Sequence, residues 1–199
     1  PSISADAVGT LRAHVRAALK RAQAVVLAGS LPPGLPPAIY AEIARQAQAV
    51  PVILDATGEA LRLGLATRPY LVKVNQLELQ EVVGRPLDTP DAVRKAAEEM
   101  RTTTGGCVVI TLGAKGALVL TAEGGWRIVP PEVHRVNTIG AGDSLTAGLA
   151  AGILQGRPLL EAARRGVAAA AADVTTLSPG TVDAALVEQL VPRVEVYAL

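Results

Sequence analysis

Hydrophobic positions along the chain alternate between two spacings. Val8, Leu11, Val15 and Leu19 recur every three or four residues, which predicts a helix over 5–22, with Lys20 and Arg21 suited to its C-terminal end. The unbroken apolar run A-V-V-L-A-G (24–29) then predicts a buried strand, stopped by the stiff segment G-S-L-P-P-G (29–34). Further along, the pattern predicts a helix over 37–48, a strand at V-I-L-D (52–55), a helix over 58–66 and a strand at Y-L-V-K-V-N (70–75). Helices near 76–83 and 89–103 follow. Such alternation predicts a parallel sheet with helices on both faces. Three short strands come next, C-V-V-I-T-L (107–112), G-A-L-V-L-T (116–121) and W-R-I-V (126–129), joined by glycine-bearing links that suit an antiparallel hairpin edge. The chain closes with a helix running through Leu145, Leu149 and Ile153, a second around 159–174 and a last around 181–190. The fold class is therefore α/β, a mostly parallel sheet sandwiched by helices.

Composition narrows the function classes. With 199 residues, half of them hydrophobic, and a formal net charge of +1, the chain suits one domain, 1–199, with ample core. Its basic residues are scattered, so it carries no electrostatic footprint for nucleic acid. The apolar runs are too short to cross a bilayer, and no signal peptide is visible. Cys107, the only cysteine, lies in an apolar run; a disulfide within the chain is impossible, which favours a cytoplasmic setting and an inert, buried thiol. His14 and His134 have no metal-ligand spacing and read as surface residues, and Trp126 reads as packing. The chain opens on Pro1 and enters a helical pattern almost at once, as a processed or truncated chain would.

Candidate chemistry gathers at the C-terminal ends of the predicted strands, where ligands sit in parallel sheets. In N-T-I-G-A-G-D-S (137–144), Gly140, Ala141 and Gly142 can turn their N–H groups to one point at a helix start, with Asp143 beside them as a base for an attacking hydroxyl. Lys73 supplies a point charge for phosphate oxygens. Asn75 and Glu78 suit Mg²⁺ held through its waters, and also suit a local capping box. T-L-G-A-K-G (111–116) is a nucleotide contact or a simple hairpin link, and it is not a P-loop. Ser30 is a substrate contact or part of a rigid loop. Asp55, with Thr57, reads as a helix cap.

Taken in order, G-S-L-P-P-G, I-L-D-A-T-G-E-A-L, L-V-K-V-N-Q-L-E-L, V-I-T-L-G-A-K-G-A and N-T-I-G-A-G-D-S resemble the ribokinase/PfkB carbohydrate kinase family, in its phosphofructokinase branch. The resemblance covers essentially the whole chain. It implies a ribokinase-like fold and ATP-dependent phosphorylation of a ketohexose phosphate. Asp143 would be the general base and residues 140–142 the anion hole. Lys73, Asn75 and the loop Thr111, Gly113, Ala114, Lys115 and Gly116 would contact ATP, while Glu78 and Asn75 would arrange Mg²⁺. Ser30 would contact the sugar phosphate. A potassium ion would sit near Asn137, Ile139, Ser178 and Gly180.

Two residues depart from the family pattern: Val74 stands where proline is usual, and Asn137 where several relatives have Asp. The family's first strands, sugar loop and β-lid have no counterpart in the sequence. The resemblance therefore implies the nucleotide-binding and catalytic portion of a longer kinase, homodimeric at full length, with the isolated chain binding ATP but phosphorylating sugar poorly. The alternative reading is a non-catalytic nucleotide-binding or regulatory fragment of the same fold. A dinucleotide-binding dehydrogenase is excluded by the missing glycine fingerprint.

Overall fold

The computed structural model describes residues 3–199. Four parallel strands form one half of the sheet: β1 (Val25–Gly29), β2 (Val52–Ala56), β3 (Leu71–Asn75) and β4 (Cys107–Thr111). An antiparallel half follows in β5 (Ala117–Leu120), β6 (Gly125–Val129) and β7 (Glu195–Ala198), so that spatial order equals chain order. The strand β7 has no counterpart in the sequence reading. E-V-Y-A is short and mixed in polarity, and only its pairing with β6 makes it a strand.

Helices α1 (Ala5–Leu19), α2 (Ile39–Gln46), α3 (Gly58–Leu65), α4 (Gln76–Val83) and α5 (Pro90–Thr104) cover one face. Three more, α6 (Ala141–Leu154), α7 (Leu159–Asp173) and α8 (Ala184–Leu190), cover the other. The first helix stops earlier than its apolar spacing predicts, at Leu19, and the last begins later, at Ala184, where the Asp183 side chain accepts from the Ala185 amide.

Side-chain alternation divides each central strand between two cores. Leu54, Val72 and Val108 pack toward α2–α5, while Ile53, Leu71 and Val109 pack toward α6–α8. Both faces of β2 are covered and all five of its residues are buried, which is why it opens on the unbroken apolar run V-I-L (52–54) and why the burial of Asp55 stands out. Continuing the alternation, Asp55 and Lys73 lie two residues beyond Ile53 and Leu71, on the α6 side. The α6 layer does not reach the edge strand β1, where Val26 is 43% exposed. Helices α6 and α7 touch almost backbone to backbone. A Cβ on Gly148 would lie 2.7 Å from Gly166 Cα, and one on Gly152 would lie 2.7 Å from Ala162. The small residues of α7 that receive α6 are Ala162 and Gly166, four apart on one face, and the alanines at 168, 169, 171 and 172 are buried in the same core.

Candidate active site at the sheet's C-terminal end

The parallel strands bring the ends of β1, β2, β3 and β4 to one side of the molecule. Gly140, with φ +87°, makes the turn into α6. A side chain there would also collide with its surroundings, since a Cβ would lie 3.1 Å from both Gly180 N and Pro179 Cβ. At the start of α6, the Ala141 amide makes only a long bond, 3.4 Å, to the Thr138 carbonyl. Among the described residues, the Gly140, Gly142 and Asp143 amides have no acceptor. Asp143 is exposed on this first turn, and its carboxylate makes no hydrogen bond or ion pair among the described residues. A helix N-terminus with free amides favours an anion.

Lys73 lies beneath this turn, buried, with Nζ 2.8 Å from both carboxylate oxygens of Asp55. Asp55 is also buried, and its Oδ2 is 2.8 Å from the Thr146 hydroxyl. That hydroxyl lies 3.0 Å from the Gly142 carbonyl. The reading of Asp55 as a helix cap is corrected: Thr57 occupies the N-cap position of α3 without a side-chain bond, and Asp55 is committed to Lys73 and Thr146. The ammonium also lies against Gly142. A Cβ at that position would press on Nζ from 3.3 Å.

The Asn75–Glu78 capping box is present. Asn75 Oδ1 accepts from the Glu78 amide at 2.9 Å, and Glu78 Oε2 accepts from the Asn75 amide at 2.7 Å. One Glu78 oxygen is left over. Thr111 sits beside Asn75 in the strand register, and the following 3₁₀ turn Gly113–Lys115 is exposed. Gly116 must lack a side chain, because a Cβ would lie 1.9 Å from the Ile128 carbonyl. Ser30 is exposed just beyond β1 and makes no hydrogen bond with the Lys73 cluster.

The loop after α7 wraps over the Gly140 turn. The Val136 and Asn137 amides donate to the Val174 carbonyl, at 2.7 and 3.2 Å. Asn137 Nδ2 donates to the Leu177 carbonyl, and its Oδ1 accepts from the Ile139 amide, both at 3.0 Å. Ile139 is itself exposed. The Ser178 carbonyl accepts from the Thr181 amide and the Thr176 hydroxyl. The Gly180 amide donates to Asp173 Oδ1 at 2.8 Å. Asp173 is 1% exposed, yet its Oδ2 has no partner among the described residues, and it lies 3.2 Å from where a Gly140 Cβ would be.

Asp173, Asp55 in its pairing role and Thr146 were not legible as site residues. Two sequence signals exist: strand alternation puts Asp55 and Lys73 on one face, and Asp173 is a lone acid ending an alanine-rich helix. A hollow of about 910 Å³ lined by Tyr70, Cys107 and Trp126 lies at the opposite end of the sheet. It gathers none of this chemistry, and burial there pushes the Cys107 thiol and the Tyr70 phenol above their ordinary pKa values. His14 and His134 are exposed, and Cys107 is half-buried rather than fully so. Among the described residues, no three His, Cys, Asp or Glu side chains form a metal cluster, and no helix is long and apolar enough to cross a membrane.

The sequence profile described as pfkB family carbohydrate kinase matches residues 2–185. The ATP-dependent 6-phosphofructokinase isozyme 2 of Escherichia coli is 41% identical over 161 residues, covering 79% of this chain and 52% of that protein. The 1-phosphofructokinase of Haemophilus influenzae is 34% identical over 175 residues, covering 86% of this chain and 56% of that protein. Among solved structures, Escherichia coli phosphofructokinase-2 in complex with potassium superimposes with a TM-score of 0.88 at 33% identity, over 96% of this chain and 63% of that one. The chain thus spans a little over half the length of these two curated relatives.

Proposed function

The chain belongs to the pfkB family of carbohydrate kinases, and on that premise we propose that it carries the phosphoryl-transfer half of a phosphofructokinase-type sugar-phosphate kinase. One observation carries the reading. The first turn of α6 presents amides without acceptors and an exposed Asp143, directly above a buried ammonium. Phosphoryl transfer is mainly positioning and electrostatics, and this arrangement supplies both. Asp143 takes the proton of the attacking sugar hydroxyl. The Gly140–Gly142 amides and Lys73 stabilise charge spreading over the transferred group. Thr111 and the 113–116 turn lie along the nucleotide, and Ser30 meets the sugar phosphate.

ATP with Mg²⁺ supplies the transferable phosphoryl group and neutralises its charge. Glu78 fits a hydrated Mg²⁺ through its uncommitted oxygen, whereas Asn75 Oδ1 is already held by the cap. For potassium, the orphaned Asp173 Oδ2 is the supporting observation: a buried carboxylate oxygen without a partner suits a cation beside Gly140. Asn137, Ile139, Ser178 and Gly180 surround the same turn. The cytoplasmic setting and a homodimer at full length are part of the same proposal.

The test is calorimetric titration with Mg-ATP, then with fructose 6-phosphate and fructose 1-phosphate, coupled to an ADP-release assay on the chain extended to its relatives' length. Sugar-phosphate-dependent ADP release is expected. Binding of both ligands by the extended protein without turnover favours the regulatory reading instead.

A further inference from the structure

A buried ion pair at this place is not explained by packing. Apolar residues of similar volume are often as stabilising as a buried salt bridge, or more so, because both charges lose water. Yet Asp55 and Lys73, each with a side chain only 9% exposed, pair on adjacent strands near the sheet's C-terminal end, flanked by the buried apolar residues Leu54, Ala56, Val72, Val74 and Val109. The pair also touches the candidate phosphoryl seat. Lys73 Nζ lies against Gly142, and the Thr146 hydroxyl joins the Asp55 carboxylate to the Gly142 carbonyl. Three elements, β2, β3 and α6, are therefore linked through one carboxylate.

We propose that Asp55 is a positioning residue that holds the Lys73 ammonium under the first turn of α6 and offsets its charge there. The consequence is a seat that orients a phosphoryl group without trapping it. An ammonium with no counter-charge, shielded from water, would attract a phosphate dianion far more strongly than the same pair in solvent. With Asp55 bidentate on Nζ, much of that attraction is offset, and the ammonium, the end of the pair nearer the seat, supplies the remainder together with the free amides. The inference rests on the reading of residues 140–143 as that seat.

The sign of one substitution separates this role from a structural one. Calorimetric titration of the chain with inorganic phosphate, with folding checked by circular dichroism and thermal unfolding, is the measurement. Asp55→Asn removes the offsetting charge, so phosphate affinity should rise by about tenfold; a residue needed only for folding would lower it. Asp55→Leu combined with Lys73→Met removes both charges. Its unfolding temperature should hold or rise, while phosphate affinity falls by about tenfold or more.

Asp55→Asn that folds but binds phosphate equally or less well overturns the proposal. So does a double variant that binds like the parent, or a parent with no phosphate affinity. If Asp55→Asn does not fold, the double variant decides. A parent that responds as expected to phosphate but ignores Mg-ATP sinks the kinase reading and leaves this inference standing. A parent that binds Mg-ATP while neither variant shifts phosphate affinity sinks this inference alone.

Discussion

Two carboxylates, Asp55 and Asp173, lie close beneath the start of α6, and the protein treats them differently. Asp55 has a lysine and a hydroxyl, with both oxygens engaged. Asp173 has one backbone amide, and its second oxygen faces the Gly140 turn without a partner among the described residues. Both are more than nine-tenths buried, so burial alone does not set their environments. What separates them is the set of partners that the fold brings to each. Asp55 is balanced within the chain, and Asp173 keeps one oxygen without a partner among the described residues.

Asp143, on the first turn of α6, is exposed and makes no hydrogen bond or ion pair among the described residues. Changing it to Asn in the extended kinase should lower turnover by about two to four orders of magnitude while leaving unfolding free energy within about 0.5 kcal/mol. Turnover near the parent value would remove it from the base role.

The next largest effect breaks the balanced side. Lys73→Met strands Asp55 in the core and should cost about 3–5 kcal/mol in urea unfolding. Asp173→Asn, by contrast, deletes an unbalanced charge and should change stability by no more than about 1 kcal/mol in potassium-free buffer, in the stabilising direction if at all. Equal losses at the two positions would show that the contrast has no energetic content.

Potassium sharpens the same comparison. At constant ionic strength, replacing tetramethylammonium by K⁺ should raise the unfolding temperature of the parent by mass action. It should leave that of Asp173→Asn unmoved. A shift of the same size in both would detach the cation from Asp173.

The smallest expected effect lies far from both carboxylates and serves as a control. Burial holds the Cys107 thiol above its ordinary pKa. Its contribution to stability is therefore complete below the unfolded-state pKa and is lost as pH rises through the folded-state value. From about pH 8 to about pH 10, the parent should lose slightly more stability than Cys107→Ala. An identical pH profile in the two proteins would show that the thiol is not shifted.

Legibility in the sequence followed the range of the interaction. Asn75 and Glu78 are three residues apart, so their capping box is written locally and was readable, as were the apolar strands and the glycine turn at 140. Asp55 sits in I-L-D-A-T-G-E, which locally looks like a helix start; its partners Lys73 and Thr146 are 18 and 91 residues away. Asp173 meets Gly180 seven residues on, but its orphaned oxygen acquires meaning only against Gly140. The strand β7 was missed for the same reason, since it takes its identity from β6.

Short-range spacing and ordered motifs encode the α/β alternation, the switch from parallel to antiparallel strands and the family, so all three are readable before folding is considered. Which charges are balanced is settled only when the chain folds. A carboxylate's environment depends on side chains that arrive from distant strands and helices, and no local pattern records their arrival.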